Sequence, residues 1–248
     1  PSPYWQQFTY DSVGNRTKKI VRTTAGATTT VNTFGAVNAG PHRRTQAQTT
    51  SPTGPVVTTG FQYDGAGNPK TTMVGANQAT LSWDAEGELA SITGTAAAGK
   101  NTYDAGGNRL IRTTTTGATV YLPGGMEIAV TTAGVVTASR WYSFAGNTVA
   151  VRTAIGPAGA ISVITDHHGS PIGQVQNGNW AAGVTRTRTD PYGSSRGTPT
   201  SVAGHGFLAA TVDTSGLVAL GARFYDPGAG RFISVDPELS PMNTAQFN

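Results

Sequence analysis

Tyr63-Asp64-Gly65-Ala66-Gly67-Asn68-Pro69, Trp83-Asp84-Ala85-Glu86-Gly87-Glu88-Leu89 and Tyr103-Asp104-Ala105-Gly106-Gly107-Asn108-Arg109 follow one another at about twenty-residue spacing and share an aromatic-Asp-x-x-Gly-Asn-Arg pattern. A fourth copy, Tyr10-Asp11-Ser12-Val13-Gly14-Asn15-Arg16, stands near the start of the chain. A unit of that length holds two strands of roughly five to seven residues with their turns, so each copy reads as one β-hairpin. The residue types fit that reading. Asp at the start of a turn accepts hydrogen bonds from backbone N–H groups just ahead of it, and Gly and Asn tolerate the positive φ that returns the chain. The aromatic residue ends the incoming strand, where packing on the neighbouring repeat adds about 1 kcal/mol beyond simple burial.

The rest of the sequence is consistent with strands. Thr supplies about one residue in six, and the apolar segments, such as Val135–Phe144 and Ile161–Thr165, are short, bounded by Gly, Asn or Pro, and show no sustained 3.6-residue period. With 248 residues and 37% hydrophobic residues the chain is long enough for a sizeable core. It has no cysteine, which excludes disulfides, thiolate metal sites and cysteine nucleophiles. No apolar run approaches the roughly 20 residues of a membrane span. The net charge of +4 is spread thinly, with no basic cluster beyond His42-Arg43-Arg44, so nucleic acid is not an expected partner. The opening Pro1-Ser2-Pro3-Tyr4-Trp5 carries neither an initiator Met nor a signal sequence and reads as the start of a fragment or processed piece.

Other chemistries find little support. The Asp64 loop lacks calcium ligands at alternate positions and has Gly75 where a closing Glu is required. Asp166-His167-His168 would place adjacent imidazoles on opposite faces of a strand. Ser170, Ser194 and Ser195 lie in Gly and Pro contexts without a nucleophile elbow and read as turn serines. No metal or cofactor is expected.

The four Asp-containing units resemble the YD repeats of Rhs proteins, bacterial toxin-complex shells and teneurins. The resemblance continues in Asp166-His167-His168-Gly169-Ser170, similar to an Asp-His-x-Gly-Ser segment of the Rhs-associated core, and in Asp190-Pro191-Tyr192-Gly193, similar to its Asp-Pro-Tyr-Gly turn. The run from Leu217 to Pro237, with Gly221, Arg223, Tyr225, Asp226, Pro227, Gly230, Arg231, Phe232, Asp236 and Pro237, is close to that core's signature throughout. The resemblance implies an all-β fold in which antiparallel hairpin repeats form a continuous curved sheet, part of a hollow cocoon around a C-terminal toxin. It implies as partners a downstream toxin domain in the same chain, further shell segments and a secretion apparatus, in a secreted or surface-exposed bacterial protein. A chain of this length covers only part of such a cocoon.

In the same family, aspartates matching Asp226 and Asp236 are linked to self-cleavage upstream of the toxin. Two close carboxylates sharing one proton supply an acid and a base for water attack on a peptide bond. If Pro227–Gly230 makes a tight hairpin, Asp226 falls opposite Arg231 and Asp236 lies roughly 17 Å along at ~3.4 Å per residue, so the pair meets only if the chain bends again. The competing reading makes Asp226-Pro227 and Asp236-Pro237 strand-ending turns. A third function, an adhesive module, takes a glycan as partner and expects Trp and Tyr rings aligned on a solvent face. The organisation read from the landmarks is a YD strip over 1–118, degenerate hairpins over 119–198 and the core signature over 199–248, without independent domains. The expected hydrophobic spine is Tyr10, Phe61, Tyr63, Leu81, Trp83, Ile92, Tyr103, Leu110, Tyr121, Trp141, Phe144, Val149, Ile164, Trp180, Phe207, Leu220, Phe224 and Phe232.

Overall fold

The computed structural model describes residues 5–35, 40–156, 159–177, 179–197 and 201–236. Pro237 of the expected signature lies outside them. The described residues contain strands, turns and short 3-10 segments, and none of their helices is long and apolar enough to cross a membrane. The chain divides into two compact units, one formed by residues up to Ala96 together with those from Ile233 onward, the other by Ala97–Phe232.

In the first unit β1 (Trp5–Tyr10), β2 (Arg16–Thr23), β3 (Gly26–Phe34), β4 (Arg44–Thr50), β5 (Val57–Tyr63), β6 (Pro69–Val74), β7 (Asn77–Trp83) and β8 (Leu89–Thr93) form an antiparallel meander. The second unit repeats the plan with β9 (Gly99–Tyr103), β10 (Arg109–Thr114), β11 (Gly117–Leu122), β12 (Met126–Thr131), β13 (Val136–Phe144), β14 (Asn147–Arg152), β15 (Ala160–Thr165), β16 (Pro171–Gln176) and β17 (Thr185–Arg186). A small sheet follows, built from β18 (Thr211–Val212), β19 (Val218–Leu220), β20 (Arg223–Asp226) and β21 (Arg231–Phe232).

Alternate turns of a meander fall on opposite rims, and the two rims differ. The turns begun by Asp11, Asp64 and Asp84 share one rim of the first unit, and those begun by Asp104 and Asp166 share one rim of the second. On the opposite rims Thr23 pairs with Gly26, Val74 with Asn77 and Thr114 with Gly117, so three of the connections there are two-residue turns.

The core of the second unit joins Trp141, Val151, Val163 and Val202, with Ile161 packed against them. Trp141, Val151 and Ile161 lie opposite one another across β13, β14 and β15, so the sheet register places them on one face. Val202 comes from beyond β17, and its burial fixes the C-terminal segment to that face. Each fully buried valine contributes roughly 1.5–3 kcal/mol.

Of the expected spine, Leu81, Ile92, Trp141 and Phe224 are buried, while Tyr10, Leu110, Phe144, Val149, Ile164 and Trp180 are exposed. Bulges explain two of these corrections. Arg109 pairs with Tyr103 and Ile111 with Thr102, which leaves Leu110 as the extra residue, and Val149 is skipped likewise between Thr148 and Ala150. Phe144 precedes a hairpin tip at Ala145-Gly146 and is 76% exposed, and Trp180 sits on a 3-10 turn, Trp180–Ala182. Tyr10 ends β1, which among the described pairings is bonded on one side only, and Ile164 is out of phase with buried Val163.

Candidate functional site

The repeated turn has one geometry wherever it occurs. In the Asp64 copy the Asp64 N–H donates to the Asn68 carbonyl (2.9 Å), the Gly67 N–H to the Asp64 carbonyl (3.2 Å) and the Asn68 N–H to Asp64 Oδ1 (2.9 Å). The glycine carries a left-handed φ, +93° at Gly67 and +88° at Gly14, which is why a Cβ is disfavoured there. The same bonds recur at Asp11, Asp84 and Asp104, and also at Asp166 and Asp190, so these two stretches of the core signature are further copies of the hairpin turn. Two copies escape the sequence pattern. Asp213-Thr214-Ser215-Gly216-Leu217 makes the same backbone bonds, and Thr131 does so with its hydroxyl accepting from Val135 N–H in place of a carboxylate.

His167 and His168 are therefore not strand residues on opposite faces. They are the two middle residues of the Asp166 turn, and their rings meet at 3.8 Å.

Two of these turns, at Asp11 and Asp104, set a pH dependence. The Asn15 side-chain amide is the main group holding the Asp11 carboxyl below its ordinary value of 3.8, helped by the Asn15 and Val13 N–H groups and opposed by partial desolvation. At Asp104 the Asn108 backbone N–H leads, followed by the Asn108 side chain. A carboxyl with a depressed folded pKa contributes stability above its unfolded pKa and loses it as pH falls through the folded one. Asp104→Asn keeps an acceptor for the turn but has nothing to titrate. In urea unfolding it is expected to be less stable than wild type at neutral pH and to converge with it below 3.8; a constant gap at all pH values contradicts the assignment.

Downstream of each rim turn a bulge recurs at a fixed place. The residue six after the Asp is skipped in the ladder: Thr17, Lys70, Ala90, Leu110 and Ile172. The motif aromatics then reach back over the preceding hairpin. The Tyr63 hydroxyl donates to the Arg44 carbonyl (2.9 Å) and the Trp83 indole N–H to the Pro69 carbonyl (2.8 Å), which ties these two turns to the strands before them.

The residue four after the Asp grips a neighbouring segment. In the first unit the Asn15 side-chain amide donates to the Pro41 carbonyl (3.0 Å) and its oxygen meets His42 Nδ1 at 2.9 Å. In the Asp166 and Asp190 turns of the second unit the position is serine. Ser170, buried, accepts from the Leu208 N–H (2.9 Å), and the Ser194 hydroxyl donates to the Pro227 carbonyl (2.8 Å). Around Ser194 the Asp-Pro-Tyr-Gly turn meets the Asp226 hairpin. The Tyr225 hydroxyl donates to the Tyr192 carbonyl (3.0 Å), the Tyr225 ring stacks on Phe207 and meets Phe232 edge-on, and Arg223 lies over Phe232 at 4.0 Å.

Asp226 pairs with Arg231 across this hairpin, as a tight turn requires, and its Oδ1 accepts from the Ala229 N–H (3.0 Å). It lines a cleft of about 410 Å³ with Ser194, Ser195, Phe207, Ser215 and Leu217 among its walls. Pro191, Gly221 and Gly230 occupy turn positions in the same unit. Strain gathers nearby: the described non-glycine residues with left-handed φ are Ala145, Ala203, Leu208 and Ala209, three of them in the segment that carries Phe207. Asp236 falls in the first unit, beside Val235, whose side chain comes within 3.3 Å of a Cβ placed on Gly67.

Sequence reasoning missed an ionic clasp. Asp213, with a side chain 1% exposed, accepts from Arg109 (2.9 Å) and Arg112 (2.6 Å), and Arg112 also reaches the Thr214 hydroxyl. Arg109 donates in addition to the Tyr121 hydroxyl (3.0 Å), and burial pushes that phenol up to about 12. On a regular strand residues 109 and 112 face opposite ways; the bulge at Leu110 puts both on one face, because their partners Tyr103 and Asn101 are two apart. A second contact joins His205 Nε2 to Glu127 at 2.6 Å, with the imidazole stacked on Trp141. Clasp and stack hold the segment after β17 to the sheet of its own unit.

No family model and no curated protein matches this sequence. Solved structures do. The Photorhabdus luminescens Tc holotoxin pore, carrying a TccC3 mutation, superposes on 97% of this chain with a TM-score of 0.62 at 16% identity. The crystal structure of TcdB2-TccC3 covers 94% with a TM-score of 0.59 at 18% identity. The chain has an Rhs/YD-shell-like fold. It spans 14% of each of those chains, about one seventh.

Proposed function

We propose that this chain is a structural segment of an Rhs-type β-shell that encloses and delivers a C-terminal toxin, as part of a secreted bacterial polymorphic toxin. The observation that carries the reading is the likeness of nearly the whole chain to toxin-complex structures, with an antiparallel meander of hairpins in each unit. Successive pairing supports it physically, since a strip of Thr-rich hairpins leaves few strand edges open once it continues into further shell segments. The test is limited proteolysis of the longest native reading frame containing this chain. The region downstream of Asn248 is expected to resist protease until denaturant opens the shell; digestion at the rate of an exposed domain overturns the reading.

A second reading, single-turnover self-cleavage, draws on the cleft at Asp226. In it Asp226 and Asp236 act as the acid and base pair. Water adds across a downstream peptide bond, its oxygen going to the carbonyl carbon and its two hydrogens ending on the new carboxyl and amine as the C–N bond breaks. Intact mass of the same reading frame under denaturing conditions decides it. Wild type is expected as two fragments, and Asp226→Asn and Asp236→Asn each as one; if all three stay whole, both aspartates are turn residues.

A further inference from the structure

We infer that Ser194 is a positioning residue for Asp226, an inference that rests on the self-cleavage reading above. The Asp226-Pro227 junction is where β20 leaves its ladder, and its geometry is not set by β-pairing alone, because β21 contributes only Arg231 and Phe232 to the hairpin. Two bonds from the Asp-Pro-Tyr-Gly turn hold it from outside. The Ser194 hydroxyl donates to the carbonyl of Pro227, the residue directly after Asp226, and the Tyr225 hydroxyl, directly before it, donates to the Tyr192 carbonyl. Asp226 is thus bracketed on both sides by contacts to one rigid turn, itself fixed by the Asp190 carboxylate through the Tyr192 and Ser194 N–H groups. Position 194 is the gripping place of the repeated turn, which holds Asn15 against the Pro41 carbonyl in the first unit and the Ser194 hydroxyl against the Pro227 carbonyl here.

A carboxylate aimed by its backbone loses rate when that backbone drifts, since misplacement of about 1 Å costs up to a hundredfold. The test measures the first-order rate of self-cleavage in the longest native reading frame, followed by intact mass. Ser194→Ala is expected to slow it about tenfold, the equivalent of one lost hydrogen bond. Ser194→Thr, which restores a hydroxyl, is expected to return the rate to within about twofold of wild type. Ser162→Ala controls for the general loss of a hydroxyl bond in the same unit, as Ser162 donates to Asn177 Oδ1 at 2.9 Å, and should leave the rate unchanged. Wild-type cleavage abolished by Asp226→Asn but unaffected by Ser194→Ala overturns the positioning role alone. Equal slowing by Ser194→Ala and Ser162→Ala, or no rescue by threonine, reduces Ser194 to a fold residue and also overturns it. Absence of cleavage in wild type removes the self-cleavage reading and this inference with it.

Discussion

Asp213→Asn is expected to destabilise the second unit by roughly 3–5 kcal/mol, the cost of leaving a buried cation without its counter-charge. Arg109 and Arg112 are 6% and 7% exposed, and both pair with this one carboxylate. A neutral amide offers one acceptor oxygen to two guanidinium groups and no compensating charge. The loss compares with the whole stability of an ordinary domain, about 5–15 kcal/mol, so the variant is expected to shift its urea midpoint severely or to lose the closing segment outright. The attraction within the clasp is not the source of the number: replacing all three members by apolar residues, Arg109→Met, Arg112→Met and Asp213→Leu together, is expected to recover much of the loss, because desolvation of the charges disappears with them. A single-variant loss under about 1 kcal/mol is the value for an exposed pair and would show the clasp to be wet.

The clasp also shows where sequence reading stops. The strand-and-turn plan was legible because Asp-x-x-Gly-Asn encodes a local geometry: the carboxylate, the left-handed glycine and the returning amide all belong to five consecutive residues. The extra turns at Asp213 and Thr131 were hidden by the demand for an aromatic before the Asp. Valine stands there in both cases, and the turn itself needs only an acceptor side chain and the glycine three residues on. Faces were harder to read than turns. Period-two alternation assumes an unbroken ladder, and the bulge six residues after each rim Asp breaks it, exposing Leu110 and turning Arg112 to the side of Arg109. The partner, Asp213, lies about a hundred residues away, and no local pattern announces it. For the self-cleavage pair, the hairpin that sets Asp226 against Arg231 followed from Pro227–Gly230, while the brace by Ser194 and Tyr225 depends on the Asp190 turn, which the sequence presents only as a motif.

Gly193→Ala tests whether that motif is more than a turn. The position carries φ +84°, so alanine pays the left-handed penalty of roughly 1–2 kcal/mol. A Cβ there would also fall 2.5 Å from Phe207 Cγ and 2.7 Å from Cδ1, well inside contact, and must push the ring away. Overpacking of that kind costs roughly 1–3 kcal/mol. The expected total is therefore about 2–5 kcal/mol, read as a shift in the unfolding midpoint. Gly134→Ala isolates the first part, since it occupies the same place in the Thr131 turn with φ +79° and has nothing within 4 Å of its Cβ. The difference between the two variants measures the seat of Phe207 on the turn. Pairing Gly193→Ala with Phe207→Ala should then be less destabilising than the sum of the two, because the two closest contacts go with the ring and only the Phe207 Cβ, at 2.9 Å, remains to shift. If Gly193→Ala and Gly134→Ala cost the same, Phe207 yields freely, and its stack on Tyr225 cannot be what fixes the Asp226 hairpin. If Gly193→Ala costs more by the packing amount, the ring is held between the turn and Tyr225, and the glycine of Asp-Pro-Tyr-Gly serves both the backbone and the hairpin packed against it.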